Sequence, residues 1–268
     1  MTQFQKTIKY IALALAILLI IGIFAGAVNV VAALISILED PDDIIGDMTA
    51  YNVSQDITEL EIEVGASELI IQAGDALSVQ SNHKYLKVEE RGERLIITEK
   101  SGIRLNHSSD VQLLITIPAG LVFKNADITA GAGRVSVDRL DTQTLDLELG
   151  AGEAVIKKLN VLGKADIDGG TGKINIESGS ICNLDLKMGV GELRLSCALE
   201  GKNELDCSVG ATRLTLPGTL EEYRFDIEKG LGNISLDGRS VSNGLYGSGN
   251  INIDIDGGIG SIDIDFIQ

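Results

Sequence analysis

The sequence of 268 residues predicts an all-β fold: a β-solenoid (single-stranded β-helix) of repeats of about 20 residues, preceded by one transmembrane α-helix. Three observations support this prediction. Pairs of glycines recur at a nearly constant interval, apolar residues take the same positions around each pair, and one stretch near the N-terminus lacks charge. The regular repeats occupy residues 123–268, and the uncharged stretch occupies residues 10–38.

Each repeat carries a Gly-x-Gly, or a close variant, between two short strands. The steps between successive first glycines are 19, 20, 19, 21, 20 and 28 residues, and a fixed period of this kind indicates units that stack on one another. Glycine adopts the positive φ that a corner requires, and its missing side chain lets neighbouring coils approach closely. The first glycines are Gly131, Gly150, Gly170, Gly189, Gly210, Gly230 and Gly258. The second glycines are Gly133, Gly152, Gly172, Gly191, Gly232 and Gly260, and Thr212 stands in this position after Gly210.

Four columns of apolar residues accompany the glycines, at five and three residues before each first glycine and at four and six residues after it. In the copy at Gly189 these positions hold Leu184, Leu186, Leu193 and Leu195. The apolar residues alternate with polar ones, as in a strand with one buried face. A meander of antiparallel hairpins would also show this alternation. The recurrence of the same columns favours the solenoid, in which like positions stack on like positions.

The uncharged stretch 10–38 is 29 residues long, and at ~1.5 Å per residue it exceeds the ~30 Å hydrocarbon core of a bilayer. Two lysines lie in residues 1–9 and acidic residues follow the stretch. This asymmetry places residues 1–9 in the cytoplasm and the C-terminal domain outside the cell membrane, as a single-pass protein. A cleaved signal peptide is the alternative, because Ala25-Gly26-Ala27 fits the small-residue cleavage pattern.

Residues 39–55 read as a short acidic connector, and residues 56–122 as an N-terminal coil and a cap. The segment from Leu60 to Ser67 repeats the strand-and-glycine pattern, with Ser67 in place of the second glycine. Residues 77–100 are predicted to form two or three strands around a turn at residues 90–93. Such a cap protects the open strand edge of a terminal coil.

An alternating strand that contains Ile117-Pro118-Ala119-Gly120 leads into the repeats. Together with the strand–Gly-x-Gly–strand units, it resembles the bacterial putative adhesin family, a group of domains of unknown function, over about residues 55–268. The resemblance implies a β-solenoid in a single-span or secreted envelope protein, and some members resemble a membrane protein of envelope-stress operons. The long last interval departs from the pattern, and its extra residues around Asn243–Gly249 are predicted to form a protruding loop.

An acidic residue stands four positions before every first glycine, and stacking would place these carboxylates ~4.8 Å apart. The ladder is either a cation site, since Ca²⁺ takes several carboxylate oxygens, or a solvated face. No Asp-rich nonapeptide of the calcium-binding β-rolls occurs, which favours the solvated face. The candidate metal ligands are Asp146, Asp166, Asp185 and Asp206. A second ladder, three residues after the first glycines, alternates in sign and would fix the register of the coils: Arg134, Glu153, Lys173, Glu192 and Arg213.

The histidines and cysteines do not predict a site. His83 and His107 are too few for a histidine-based metal site, and both are expected on the surface. The three cysteines match no zinc spacing. Cys207 is expected to be a small buried residue, and a Cys182–Cys197 disulfide stays open as an alternative. We therefore predict no catalytic residue and no cofactor.

The net charge of −17 opposes nucleic acid and anionic lipid as partners of the domain. The sequence predicts a non-enzymatic, membrane-anchored, extracytoplasmic protein that presents a rigid face to a cell-envelope polymer or a partner protein. One alternative is an accessory protein of an envelope-stress sensing system. Another is a polysaccharide-active β-helix enzyme, which would need an irregular cluster of acids and arginine in a loop-walled groove. The final coil, residues 259–268, lacks a following cap, so we expect self-association or partner capture through its open edge.

Overall fold

The computed structural model describes residues 45–99 and 111–267, which form eighteen β-strands and one short 3₁₀ helix, Leu220–Glu222. Within these residues no helix is long and apolar enough to cross a bilayer. The predicted transmembrane segment 10–38 and His107 lie outside the described residues. The strands are β1 (Ile45–Tyr51), β2 (Glu59–Val64), β3 (Glu68–Gly74), β4 (Ser78–His83), β5 (Leu86–Arg91), β6 (Arg94–Glu99), β7 (Gln112–Pro118), β8 (Phe123–Val137), β9 (Leu140–Ile156), β10 (Leu159–Ile176), β11 (Gly179–Cys182), β12 (Leu184–Ser196), β13 (Ala198–Glu200), β14 (Lys202–Pro217), β15 (Tyr223–Leu236), β16 (Arg239–Val241), β17 (Gly244–Gly247) and β18 (Ile251–Ile267).

Seven long strands form the stack, and each passes through one glycine corner. They pair in parallel and in register over most of their length, in the spatial order β8, β9, β10, β12, β14, β18, β15. Every residue of the four predicted apolar columns is buried, and together these residues form one continuous core. The all-β, solenoid-like prediction is therefore confirmed for the described residues.

A third face of the stack was absent from the sequence prediction. A buried column runs through the first residues of β8, β9 and β10 and through the short strands β11 and β13, and its members are Phe123, Thr142, Val161, Ile181 and Leu199. The regular spacing is hidden by an irregularity between Val161 and Lys164, which shifts the register locally.

The N-terminal end of the stack is closed by the predicted first coil and hairpin. β2 and β3 both pair in parallel with β8, and Val64 aligns with Ala130, so Ser67 does take the place of a second glycine. β5 and β6 form the predicted hairpin, with Gly92 at a φ of 65° in its turn, and β6 then adds to β2. The predicted connector 39–55 contains β1, which pairs with β4.

The predicted register of the fifth copy is wrong by two residues. Gly210 stacks on the second glycine Gly191, and not on a first glycine. The second-glycine position has a φ of 149° in Gly191 and 140° in Gly210, a conformation that Thr212 would not adopt without strain. Asn203 and Thr212 therefore enter the apolar columns and are buried.

The order of the last two coils also differs from the prediction. β18 lies between β14 and β15 and pairs with both, so the final coil has no open edge of the expected kind. The outermost coil is β15, and β16 and β17 cover parts of its outer side as antiparallel strands. The segment Asn243–Gly249 consequently contributes strand β17 to this cover and is not simply a protruding loop.

Candidate functional site

One outward side of the stack carries a continuous column of eight carboxylates. Each aligns with the next across neighbouring strands, because all lie six residues before the second glycine of their coil, or before Ser67 in the first coil. Asp146, Asp166 and Asp185 belong to this column, whereas the member beside Asp185 on β14 is Glu204 and not Asp206, owing to the two-residue register difference. In spatial order the column is Glu61, Asp127, Asp146, Asp166, Asp185, Glu204, Asp254 and Asp226.

A second outward column lies two residues further along each strand and contains Asp206. It holds six acids, and two other residues interrupt it. In spatial order it is Glu63, Thr129, Glu148, Asp168, Lys187, Asp206, Asp256 and Glu228. We call these two columns together the acidic face.

Lysines and one arginine offset part of this charge. Lys164 Nζ lies 2.8 Å from Asp166, and Lys187 Nζ lies 3.5 Å from Asp185. Lys202 Nζ contacts Glu204 and lies 4.0 Å from Asp254. At the end of the stack next to the N-terminal cap, which we call proximal, the guanidinium of Arg94 lies 3.3 Å from Glu61. The opposite end, at β15, is called distal. These pairs are exposed, so each contributes little stability, but they reduce repulsion along the column.

The pKa of Asp127 is raised above its ordinary value, first by burial and then by the neighbouring charges of Asp146, Glu61 and Glu148. The charge of Arg94 acts in the opposite direction but does not cancel these effects on the pKa of Asp127. The ionised form of Asp127 is therefore disfavoured, and added positive charge beside this residue would stabilise it.

The distal end of the acidic face contains a shallow depression of about 340 Å³. Four of its carboxylates form no ion pair with any described residue, namely those of Asp206, Asp226, Glu228 and Asp256. Within the described residues, no group of three or more His, Cys, Asp or Glu has the arrangement of a metal site. The depression lies between parallel strands and is lined by several negatively charged carboxylates. Such a lining is suited to contact with cationic groups.

The alternating charge ladder on the other outward side follows the prediction for four of its five members. Arg134 lies 3.5 Å from Glu153, and Lys173 lies 3.8 Å from Glu153 and 3.9 Å from Glu192. Arg213 is displaced by the register difference: it aligns with Arg194 and lies 3.9 Å from Asp263.

The N-terminal cap contains a buried polar cluster that the sequence did not indicate. His83 is buried, contrary to the expected surface position, and its Nε2 lies 3.4 Å from Glu99. Burial lowers the pKa of His83, while the charge of Glu99 acts in the opposite direction. The Glu99 carboxylate also accepts hydrogen bonds from the backbone N–H groups of Gly65 and Ala66 and from the Ser67 hydroxyl. Glu99 thus caps the first glycine corner, where no other coil of the described residues supplies acceptors.

All three cysteines are free thiols, so the Cys182–Cys197 disulfide is not formed. Cys207 is buried in the core, as predicted, and Cys197 is also buried. Burial raises the pKa of the Cys197 thiol to about 12, which opposes a nucleophilic role.

The sequence profile of a family described as Toastrack DUF4097 matches residues 102–264. The crystal structure of a putative cell adhesion protein from Clostridium sporogenes ATCC 15579 has a TM-score of 0.41 and 17% identity, and the alignment covers 82% of this chain and 99% of that one. A putative adhesin from Bacteroides fragilis NCTC 9343 has a TM-score of 0.42 and 14% identity, with 81% and 95% covered. A putative adhesin from Parabacteroides distasonis ATCC 8503 has a TM-score of 0.41 and 16% identity, with 81% and 97% covered. A comparison with curated proteins found no match.

Proposed function

The chain belongs to the Toastrack family DUF4097, and from this premise we propose that it is a membrane-anchored, extracytoplasmic protein without enzymatic activity, whose rigid solenoid presents the acidic face to a cell-envelope polymer or a partner protein. The register of the stack carries the proposal. It holds eight carboxylates in one column and six in the next, at the spacing of paired strands.

A surface of this kind is suited to binding. The carboxylates of the acidic face recur at one position of each coil on the outside of the stack, so the face offers many equivalent contacts along its length. Each coil also pairs with its neighbours along most of its length, so the carboxylates are held at fixed mutual distances. A repetitive polymer or an extended protein segment with matching positive charges would meet several of them at once.

The test uses the full-length chain in cells stripped of their outer layers. Protease added outside should remove the C-terminal domain and leave the N-terminus, and protection of the domain would contradict the proposed location. Retention of envelope polymer or partner on such cells should fall when Asp146, Asp166 and Asp185 are changed together to Asn. The matched control changes Glu153 and Glu192 to Gln on the other outward side. Equal effects of the two variants would overturn a role for the acidic face.

An accessory role in envelope-stress sensing is the second candidate, supported by the uncharged segment 10–38, through which such a protein would act on a membrane sensor. The two functions differ in what they require from this segment. Binding of a polymer or partner should survive replacement of residues 10–38 by an unrelated transmembrane helix, whereas modulation of a sensor should be lost.

A further inference from the structure

An apolar row runs along the glycine corner toward the distal end of the stack. The residue directly before each second-glycine position lies at the corner, and the four such residues furthest from the N-terminal cap are larger aliphatic residues than the alanines near the cap. Ile259 is 40% exposed and Leu231 is 53% exposed. In spatial order the positions are Ala132, Ala151, Thr171, Val190, Val209, Ile259 and Leu231. We call the last four residues the corner row.

The corner row borders the uncompensated end of the acidic face. Glu228 lies three residues before Leu231 on the same strand, and Asp256 has the same relation to Ile259. Leu245, which is 60% exposed, aligns with Asp226 on the other side of β15. Exposed aliphatic side chains therefore lie within three residues of carboxylates without ion pairs along β15 and β18, and directly beside one across β15 and β17.

The backbone at this end adds negative potential. β16 and β17 cover β15 at residues 234–236 and 224–227, and within the described residues no strand pairs with the outer side of 228–233. A methyl group built on Gly232 would lie 1.8 Å from the carbonyl oxygen of Gly260, so each corner carbonyl faces the next coil. By the same geometry the Gly232 carbonyl of the outermost coil faces away from Gly260, where it can accept a hydrogen bond from outside the stack.

A second copy of this chain does not fit the surface. At the proximal end of the corner, the N–H groups of Gly65 and Ala66 already donate to the Glu99 carboxylate, so they are not free for the Gly232 carbonyl of another copy. Two distal ends brought together would juxtapose unpaired carboxylates. An anionic lipid surface would meet the same repulsion.

We propose that the distal corner of the stack is a docking surface for a basic amphipathic segment of a partner protein. Apolar side chains of that segment cover Leu231 and Ile259, and its lysine or arginine side chains pair with Asp226, Glu228 and Asp256. The inference rests on the proposed function and specifies the chemistry of its protein partner. The negative charge of the surface requires a positively charged segment. The exposed side chains of the corner row require that the segment also has an apolar face.

The experiment places the full-length chain in nanodiscs of neutral lipid and titrates it into a fluorescent amphipathic peptide of lysine and leucine, with empty nanodiscs as blank. A peptide of the same composition but scrambled order tests the apolar stripe. Leu231→Ser should weaken binding by about tenfold. Asp256→Asn with Glu228→Gln should weaken it by about two- to tenfold, and salt should reduce this second effect.

The matched controls are Leu162→Ser, at a side chain 67% exposed elsewhere on the stack, and Glu153→Gln with Glu192→Gln, which removes two charges on the other outward side. Both should bind like the wild type. Equal binding of the scrambled peptide, or equal loss in Leu162→Ser and Leu231→Ser, would overturn the proposal. So would sedimentation showing self-association that Leu231→Ser abolishes, because the row would then join two copies. If the protease test shows that the domain is protected, but peptide binding still depends on Leu231, only the proposed location is refuted.

Discussion

The close stacking of glycine corners makes a sharp prediction for Gly172→Ala. Gly172 has a φ of 144°, and a methyl group on it would lie 1.9 Å from the carbonyl oxygen of Gly152. The strained backbone costs ~1–3 kcal/mol. Relief of the overlap separates the two coils and weakens about two hydrogen bonds at ~1 kcal/mol each. The expected loss of unfolding free energy is therefore ~3–5 kcal/mol, or about 6–20 °C in Tm for a domain of this size.

The control is Gly92→Ala in the β5–β6 turn. Gly92 also has a positive φ, of 65°, but no atom lies within 4 Å of an added methyl group. This variant should lose only ~1–2 kcal/mol, the cost of the left-handed conformation for an L-residue. Thermal and urea unfolding of both variants, followed by circular dichroism, measure the difference. If Gly172→Ala costs no more than Gly92→Ala, close approach does not explain the corner glycines.

Three further predictions concern single residues. Asn203→Leu restores an apolar column but should lose ~1–3 kcal/mol in urea denaturation, because a buried backbone N–H and C=O of the adjacent coils lose their partner; a gain in stability would refute this. Asp127→Asn should gain ~0.2–1 kcal/mol near neutral pH, since the raised pKa means that the folded state loses stability as Asp127 ionises. Thermal unfolding should show that gain vanish below the ordinary pKa of 3.8, and an undiminished gain there would assign it to another cause. Iodoacetamide at about pH 8 should alkylate the partly exposed Cys182 in the native chain, and Cys197 only after unfolding, as read by mass spectrometry.

The apolar columns and the β5–β6 hairpin could be predicted from the sequence, because alternation and turn chemistry are local. The register at Gly210 could not be predicted in the same way. A single glycine fits either position of the pair, and both choices place mostly apolar residues in the columns. In the structure Gly210 takes the second-glycine position, which requires a positive φ. This register places the polar residue Asn203 in a buried apolar column. Its amide accepts from the Leu184 N–H at 3.1 Å and donates to the Asn252 carbonyl at 3.0 Å.

The acidic face was partly predicted. The first column follows from the repeat, but Glu204 could be assigned to it only with the correct register. The second column is interrupted by Thr129 and Lys187, which hides it from a search for one invariant residue type. The Glu99 cap depends on a contact between residues more than 30 positions apart, so spacing alone gave no signal for it.

Because β18 lies between β14 and β15, the order of the last three coils in the stack differs from their order along the chain. During translation, β15 is synthesised before its neighbour in the stack, and the edge of β14 stays unpaired until residues 251–267 have been made. The Asn203–Asn252 contact closes a segment of 49 residues, which makes this step entropically costly and slow relative to the pairing of consecutive coils. A chain truncated before Ile251 would leave β15 without its parallel partner and expose both sides of the gap. The distal surface therefore forms only after the C-terminal segment is complete. A prematurely terminated chain would be open to proteolysis and aggregation.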